Sequence, residues 1–179
     1  PLDHQDEAEA TSHRPGPMTR WPLAAGAALA LGCAGATPVP VAVPQPTPVM
    51  MEAVVEHMKT QNVKTVAFIG FNDSWGDLVF KGFSAMAEPA GISVVANERY
   101  ARPDTSVAGQ VLKVMAAKSD AVVAGGSGTP GALPHITLVE RGYKGPIYHN
   151  HGVINRDFLR VGGKAVEHAM APTGPVMVA

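Results

Sequence analysis

The chain has 179 residues, a formal net charge of −1 and a single cysteine. With 46% hydrophobic and 16% charged residues it can bury a core, and a usual domain size of about 150 residues predicts one domain plus a surplus. The near-zero net charge supplies no basic field for a phosphate backbone, so nucleic acid is not an expected partner. Cys33 alone excludes an internal disulfide framework and a multi-cysteine metal site.

The surplus lies at the N-terminus. Residues 1–17 are polar, contain proline and show no apolar periodicity, which predicts a flexible tail. Residues 18–48 are signal-like and end in a Pro-rich connector with polyproline character. Two interpretations of residues 18–36 stay open: a secretory signal, with Cys33 as a candidate lipid anchor, or an Ala/Gly-rich buried segment of a longer fold.

Beyond the connector, predicted helices and strands alternate. A helix is predicted to begin at Thr47, with its hydroxyl as the cap, Pro48 at the first helical position and one apolar stripe formed by Met50, Ala53, Val54, His57 and Met58. His57, which lies on this stripe, is interpreted as a core residue. Nearly continuous apolar, β-branched runs predict four strands, at residues 63–70, 92–96, 120–124 and 146–149.

Further helices are predicted between these strands. Ser74 and Asp77 have the spacing of a capping box at the start of the second helix, whose apolar face comprises Trp75, Leu78, Val79, Phe83 and Met86. The helix at residues 130–141 is expected to end at Gly142 in the left-handed conformation. The alternation predicts an α/β fold for residues 49–179, with a parallel sheet flanked by helices on both faces.

Polar, Gly-rich segments follow three of the predicted strands, at residues 71–76, 125–131 and 150–155. Ligands of open parallel sheets bind at the carboxyl ends of the strands, where these segments fall. Backbone donors, hydroxyls, an aromatic ring and an imidazole suit a small ligand with polar ends. Such residues also form ordinary turns, and the recurrence at one edge favours a site over that alternative.

Three other kinds of chemistry have weaker signals. Gly126, Gly128 and Gly131 match the dinucleotide fingerprint, but the acidic residue expected about 20 positions later is absent. A nucleophile elbow at Ser127 would lack one glycine and a third triad member. His149 and His151 lie two apart without a nearby carboxylate or thiolate, so no metal site is predicted.

Three stretches resemble one family. MMEAVVEHMKTQNVKTVAFIGFNDSWG, SDAVVAGGSGTPG and HNHGVINRDFLRVGGKAVEHAMAPTGPVMVA are similar, in this order, to the periplasmic solute-binding proteins of branched-chain amino-acid ABC transporters. The resemblance runs from about residue 35 to the end of the chain. It implies a type I periplasmic-binding lobe, here incomplete, that binds a solute without catalysis or a cofactor and delivers it to a membrane permease.

The resemblance also implies an exported protein, periplasmic or lipid-anchored, and a set of ligand-binding positions. The aromatic residue that covers the ligand corresponds to Trp75, and the family's acidic partner of an amino-acid ammonium corresponds to His151. The remaining positions follow the paired glycines or resemble a loop of the first lobe: Ser127, Gly128, Thr129, Gly35 and Thr37.

Two departures bear on the ligand, which the family implies to be a small carboxylate such as a branched-chain amino acid or an aromatic acid. An imidazole at His151 cannot replace a carboxylate as the partner of an ammonium. The indole of Trp75 enlarges the aromatic surface that is expected to cover the ligand. Both favour a carboxylate with a ring over a plain amino acid. A Rossmann-type NAD(P)-dependent oxidoreductase that uses the Gly126 loop is the alternative.

By this resemblance the chain is about half as long as the family's members, and most of the first lobe and the C-terminal part are expected to be missing. A single lobe cannot enclose a ligand, and the strands that complete the sheet are absent. The exposed sheet edge that would remain favours pairing with another chain, so the expectation is either a homo-oligomer or a truncated product with little function of its own.

Overall fold

The computed structural model describes residues 46–173. Five α-helices lie in this part of the chain: α1 Thr47–Thr60, α2 Ser74–Ala87, α3 Ala108–Ala116, α4 Ala132–Glu140 and α5 Arg156–Gly162. Four strands alternate with the first four helices: β1 Thr65–Phe71, β2 Ser93–Tyr100, β3 Ala121–Gly125 and β4 Ile147–His149. Short 3-10 turns are present at Thr129–Gly131, His151–Val153 and Gly163–Val166.

The four strands form one parallel sheet in the order β2-β1-β3-β4. β1 and β3 lie in the centre, where their residues are almost entirely buried. Beyond β4, Met170 forms a single parallel bridge with Tyr148. The predicted α/β fold with a parallel sheet is confirmed, and its carboxyl edge gathers the loops after β1, β2, β3 and β4.

Alternate residues of the central strands face two separate cores. Val66 and Phe68 of β1 pack in a cluster with α1 and α2, whereas Ala67 and Ile69 pack in a second cluster with α3 and α4. This alternation is the period-2 geometry of a strand covered on both sides. Helices therefore cover both faces of the sheet, as predicted.

Helix α1 is rotated relative to the predicted stripe. Its buried side chains are Thr47, Met50, Met51, Val54, Val55 and Met58. The prediction that His57 is a core residue is wrong: its ring is exposed, and its Nδ1 lies 3.0 Å from the Tyr148 hydroxyl. Met51 and Val55 bury more apolar area than Ala53 and His57 would, which favours the observed face.

The helix caps also differ from the sequence prediction. Thr47 is the first helical residue and Pro46 precedes it, so no side chain caps α1. At α2 the cap is Asp73 rather than Ser74, because the Asp73 carboxylate accepts a hydrogen bond from the Gly76 amide. Leu78, expected on the apolar face, is 49% exposed.

Strand β2 runs four residues beyond the predicted end at residue 96, reaching Tyr100. Because β2 is an edge strand, its residues before Tyr100 alternate only between exposed and partly buried positions. Its second half contains the polar residues Asn97 and Glu98, so it does not form the continuous apolar run by which the other strands are predicted. The extension matters for function, since it carries residues 101 and 102 to the same edge as the other loops. Gly142, by contrast, has the predicted left-handed conformation, with φ +83°.

Candidate functional site

Two of the Gly-rich loops are tied together at the carboxyl edge of the sheet by Asn150. Its side chain is fully buried, donates to the Gly126 carbonyl at 2.6 Å and accepts from the Gly152 amide at 2.7 Å. A backbone bond from the Gly128 amide to the Gly152 carbonyl, 3.0 Å long, adds a second connection. The loops after β3 and β4 thus form one connected surface.

Trp75 and His151 form the aromatic part of this surface. Their ring centroids lie 5.7 Å apart in an edge-on arrangement. Gly152 lies between Trp75 and Ser127, where an added Cβ would come within 3.1 Å of the indole and 2.8 Å of the Ser127 Cβ. Glycine at this position therefore allows the loop that carries His151 to lie against the α2 loop.

Trp75 Nε1 and His151 Nδ1 are both buried and have no hydrogen-bond partner in the part of the chain that the structure describes. A buried donor without a partner costs free energy unless another group satisfies it. The indole N–H can only donate, whereas the imidazole nitrogen can donate or accept. Burial lowers the pKa of His151, which favours the neutral ring at neutral pH.

Arg102 brings a positive charge to the same edge. Its Nε donates to the Asp73 carboxylate at 2.6 Å, and its guanidinium carbon lies 4.2 Å from the centroid of the Phe71 ring. Its Nη1 reaches the Ser127 hydroxyl at 3.4 Å. The Arg102 side chain is 48% exposed, so part of its planar donor surface remains open to a ligand.

The Asp73 carboxylate is fully engaged. It caps α2 through Gly76 and pairs with Arg102. Burial alone would raise its pKa, but the Gly76 amide and the Arg102 guanidinium outweigh burial and hold the pKa below its ordinary value. The nearby Asp104 carboxylate accepts the Ala101 amide. Asp73 therefore already has a cationic partner and does not offer an unpaired carboxylate to an incoming ammonium.

The structure brings together most of the residues that the sequence singled out. Trp75, Ser127 and His151 converge on one surface, and Gly128 lies in the same loop with φ +56°, a conformation that glycine adopts without strain. Thr129 begins the 3-10 turn before α4 and is exposed. Gly35 and Thr37 lie outside the described residues.

The glycine loop after β3 is closed by its own hydrogen bonds. The Gly128 amide donates to Gly152, and the Gly131 amide donates to Ser127 and Gly128 carbonyls. These amides are already used, which disfavours a pyrophosphate at this loop. The Ser127 hydroxyl meets Arg102 and not an imidazole, which disfavours a nucleophile elbow.

Within residues 46–173, no three His, Cys, Asp or Glu side chains are grouped to hold a metal ion. No helix in that range has the length and apolar character needed to cross a membrane.

Arg102 and Asn150 were missed as functional residues. The sequence pattern ends the second strand at residue 96, which places Arg102 away from the carboxyl edge, whereas the observed β2 reaches Tyr100. A basic residue directly after a strand, in Ala101-Arg102-Pro103, was the available signal. Asn150 lay in a predicted polar segment, but its buried role depends on Gly126, which is 24 residues away in the sequence.

A parallel α/β lobe with aromatic rings and hydrogen-bond donors at its carboxyl edge is typical of proteins that bind small ligands. The family model described as periplasmic binding protein matches residues 24–176, and the chain belongs to this family. This confirms the family resemblance recognised in the sequence. Among curated proteins, no significantly similar sequence is found.

Solved structures agree with this assignment. The protein Rp1789 of Rhodopseudomonas palustris strain CGA009 is 53% identical with a TM-score of 0.73; the match covers 75% of this chain and 38% of that one. An extracellular ligand-binding receptor from R. palustris HaA2 is 52% identical over the same shares, also with a TM-score of 0.73. A leucine-binding protein from Thermotoga maritima shares the fold at 21% identity and a TM-score of 0.61, covering 68% of this chain and 35% of that one.

The matched region thus amounts to 38% of the length of the two R. palustris structures. It corresponds to about one lobe of a two-lobed binding protein.

Proposed function

We propose that this chain is the solute-binding component, or one lobe of it, of an ABC-type importer, and that it binds a small ligand with a carboxylate and a ring. The observation that carries the proposal is the convergence of Trp75, Ser127 and His151 at one edge, with Arg102 beside them. The family membership supports binding and export, with delivery to a membrane permease and no catalytic step.

The surface is rich in donors. Arg102 presents a planar guanidinium, Ser127 a hydroxyl and Trp75 an indole N–H without a partner. An anionic or phenolic oxygen accepts hydrogen bonds from such groups, and a guanidinium binds a carboxylate through two parallel bonds. The Trp75 and His151 rings supply an apolar wall for the rest of the ligand.

Binding of a plain amino acid is disfavoured. The ammonium group would need an unpaired carboxylate, but Asp73 is held by Arg102 and by the start of α2. His151 stands where the family resemblance places an acid, and burial favours its neutral form. The ligand that this surface fits is an aromatic acid.

The family resemblance implies a role in ligand binding for Gly35 and Thr37 as well, and this role stays a prediction because both lie outside the described residues. The family match begins at residue 24, upstream of both, which supports their inclusion.

Calorimetric titration of the full chain with benzoate and with leucine tests the proposal. We expect heat of binding with benzoate and none with leucine. In a Trp21→Phe background, Trp75 becomes the sole tryptophan, and its fluorescence should change with benzoate. Tight binding of leucine, or absence of any benzoate effect on Trp75, would contradict the proposal.

Paired variants locate the site. Arg102→Gln should weaken benzoate binding about tenfold, the loss expected for one charge-assisted hydrogen bond. Arg160→Gln is the matched control, because Arg160 is exposed on α5 and pairs with Asp157. If both variants bind alike, the guanidinium of Arg102 does not contact the ligand.

A further inference from the structure

Two histidines that the proposed ligand site does not use lie side by side inside the lobe. His149 is the last residue of β4 and is completely buried, and His135, on α4, is 2% exposed. Their rings are nearly parallel, 8° apart, with centroids separated by 5.1 Å. His135 Nδ1 lies 2.8 Å from His149 Nε2, so one hydrogen bond joins them.

The hydrogen-bond partners define the tautomers of this pair. A backbone hydrogen bond with Ala165 favours the protonated form of His135, so the ring donates to that carbonyl. Since Nδ1 faces His149, the donating atom is Nε2. His135 Nδ1 is then an acceptor, and His149 Nε2 must donate to it. His149 Nδ1 is left as a bare lone pair, consistent with its lack of a partner in the described part of the chain.

A proton added to either ring disrupts this arrangement. Protonation of His135 Nδ1 would place its N–H directly opposite the N–H of His149 Nε2, where one donor faces another. Protonation of His149 Nδ1 would create a buried cation with no anionic partner. Burial accordingly lowers the pKa of His135 to about 4 and that of His149 to about 3, the latter also because His135 is close.

The groups around the pair oppose its protonation. A cleft of about 610 Å³ opens beside His135, and its titratable lining consists of Lys144, Lys164, His168 and Tyr143. No carboxylate lines this cleft in residues 46–173. On the other side the Phe158 ring packs edge-on against His149 at 5.2 Å, and on α5 Asp157 and Arg160 pair with each other.

The pair is directly connected to the candidate site. His149 is followed by Asn150, which fastens the loop after β4 to Gly126 and accepts the Gly152 amide. His135 lies on α4, which continues from the Gly-rich loop. Separating the two rings would therefore release the attachment of both loops at once.

We propose that the His135–His149 pair positions the His151 loop and that protonation of the pair releases this loop. The consequence for the ligand, weaker binding in acid, rests on the proposed function, whereas the release of the loop does not.

Hydrogen exchange of the full chain, followed from about pH 7 to about pH 5, tests the proposal without any ligand. In water an imidazole titrates near 6.5, so acid favours every opening that exposes the rings. After correction for intrinsic rates, the protection of the Gly152 amide should fall by more than about tenfold over this range. Unchanged protection would overturn the proposal.

Two variants test whether this pair, and not another histidine, causes the pH dependence of loop protection. His149→Gln leaves His135 as the one titrating ring of the pair, so protection of the loop should depend on pH clearly less steeply than in the unmodified chain, although it starts lower. His168→Gln removes an exposed histidine of the same cleft and should behave as the unmodified chain. If His149→Gln retains the full pH dependence, another group is responsible.

If His149→Gln does not fold, nitrogen-15 spectra of the imidazoles in the unmodified chain still report the tautomer and the titration of both rings. Both rings should show the neutral Nε2–H tautomer at neutral pH and titrate well below 6.5. A ring that titrates at its ordinary value would contradict the buried pair. Loss of benzoate binding at every pH, with the loop still pH-dependent, would overturn only the proposed function.

Discussion

Asp73 connects helix stability to the candidate site. The same carboxylate accepts the Gly76 amide at 3.0 Å and the Arg102 guanidinium at 2.6 Å. One residue therefore caps α2 and holds Arg102 across the Phe71 ring. Substitutions that keep the hydrogen bond acceptor but remove the charge can separate these two roles.

We predict that Asp73→Ala lowers the free energy of unfolding by about 1 kcal/mol, because α2 loses its cap. Asp73→Asn should cost clearly less, since the amide oxygen still accepts the Gly76 N–H. Urea denaturation of both variants measures the difference. Equal destabilisation would mean that the ion pair with Arg102, and not the cap, carries the effect.

His57 shows why a single residue is difficult to place from sequence. Two adjacent stripes of α1 have helical spacing, and only one of them contains both Met51 and Val55. The choice between them depends on the shape of the sheet and of α2, which pack against the helix. His57 then falls at the rim, next to the hydroxyl of Tyr148, 91 residues away.

At the scale of elements, the loop between β3 and α4 depends on close backbone approach. An added Cβ on Gly126 would lie 2.6 Å from the Gly131 Cα and 2.7 Å from the Tyr100 hydroxyl. Tyr100 is itself buried and donates to the Pro130 carbonyl at 3.1 Å. The glycines that resemble a dinucleotide fingerprint thus have a structural role: they fold the loop tightly over Tyr100.

Gly126→Ala should therefore destabilise the protein by about 2 kcal/mol, within the range for overpacking a core position. Gly109→Ala is the matched control, because a Cβ there meets nothing within 4 Å and the residue lies in α3. Gly109 is the second residue of α3, so alanine there should be neutral or slightly stabilising. Chemical denaturation compares the two, and destabilisation of similar size in both would contradict this explanation.

The order of the elements could be predicted from the sequence, because apolar periodicity and turn residues are local signals. Their ends could not always be predicted. The predicted end of the second strand falls short of Tyr100 because an edge strand needs no continuous apolar run. The predicted cap of α2 lies one residue too late because Asp73 and Ser74 are both good capping residues.

At the scale of the whole molecule, the two edges of the sheet differ. β2 has a register shift opposite Val66/Ala67, which leaves Val95 as an extra residue in the strand, and Glu98 and Arg99 follow. A bulge and charged side chains both disfavour pairing with another chain. At the other edge, pairing of β4 on its outer side is confined, within residues 46–173, to the Tyr148–Met170 bridge.

Self-association therefore stays a prediction and is expected through the β4 edge. A groove of about 350 Å³ lies there between α1 and the Met170 segment, lined by His57 and Tyr148. Light scattering after size exclusion should give a mass of at least twice 18.6 kDa. Met170→Lys should reduce it, whereas Leu112→Lys on the exposed face of α3 should not. A stable monomer would contradict this expectation.

The order of the amino acids was enough to predict the α/β alternation, the parallel sheet, the family and the three loops where we propose a ligand site. These follow from patterns that span a few residues or a single supersecondary unit. Three contacts could be found in the folded chain alone: Arg102 with Asp73 and Ser127, Asn150 with both loops, and His135 with His149. Those contacts depend on strand order and register, which are set by the packing of residues far apart in the chain and leave no local pattern.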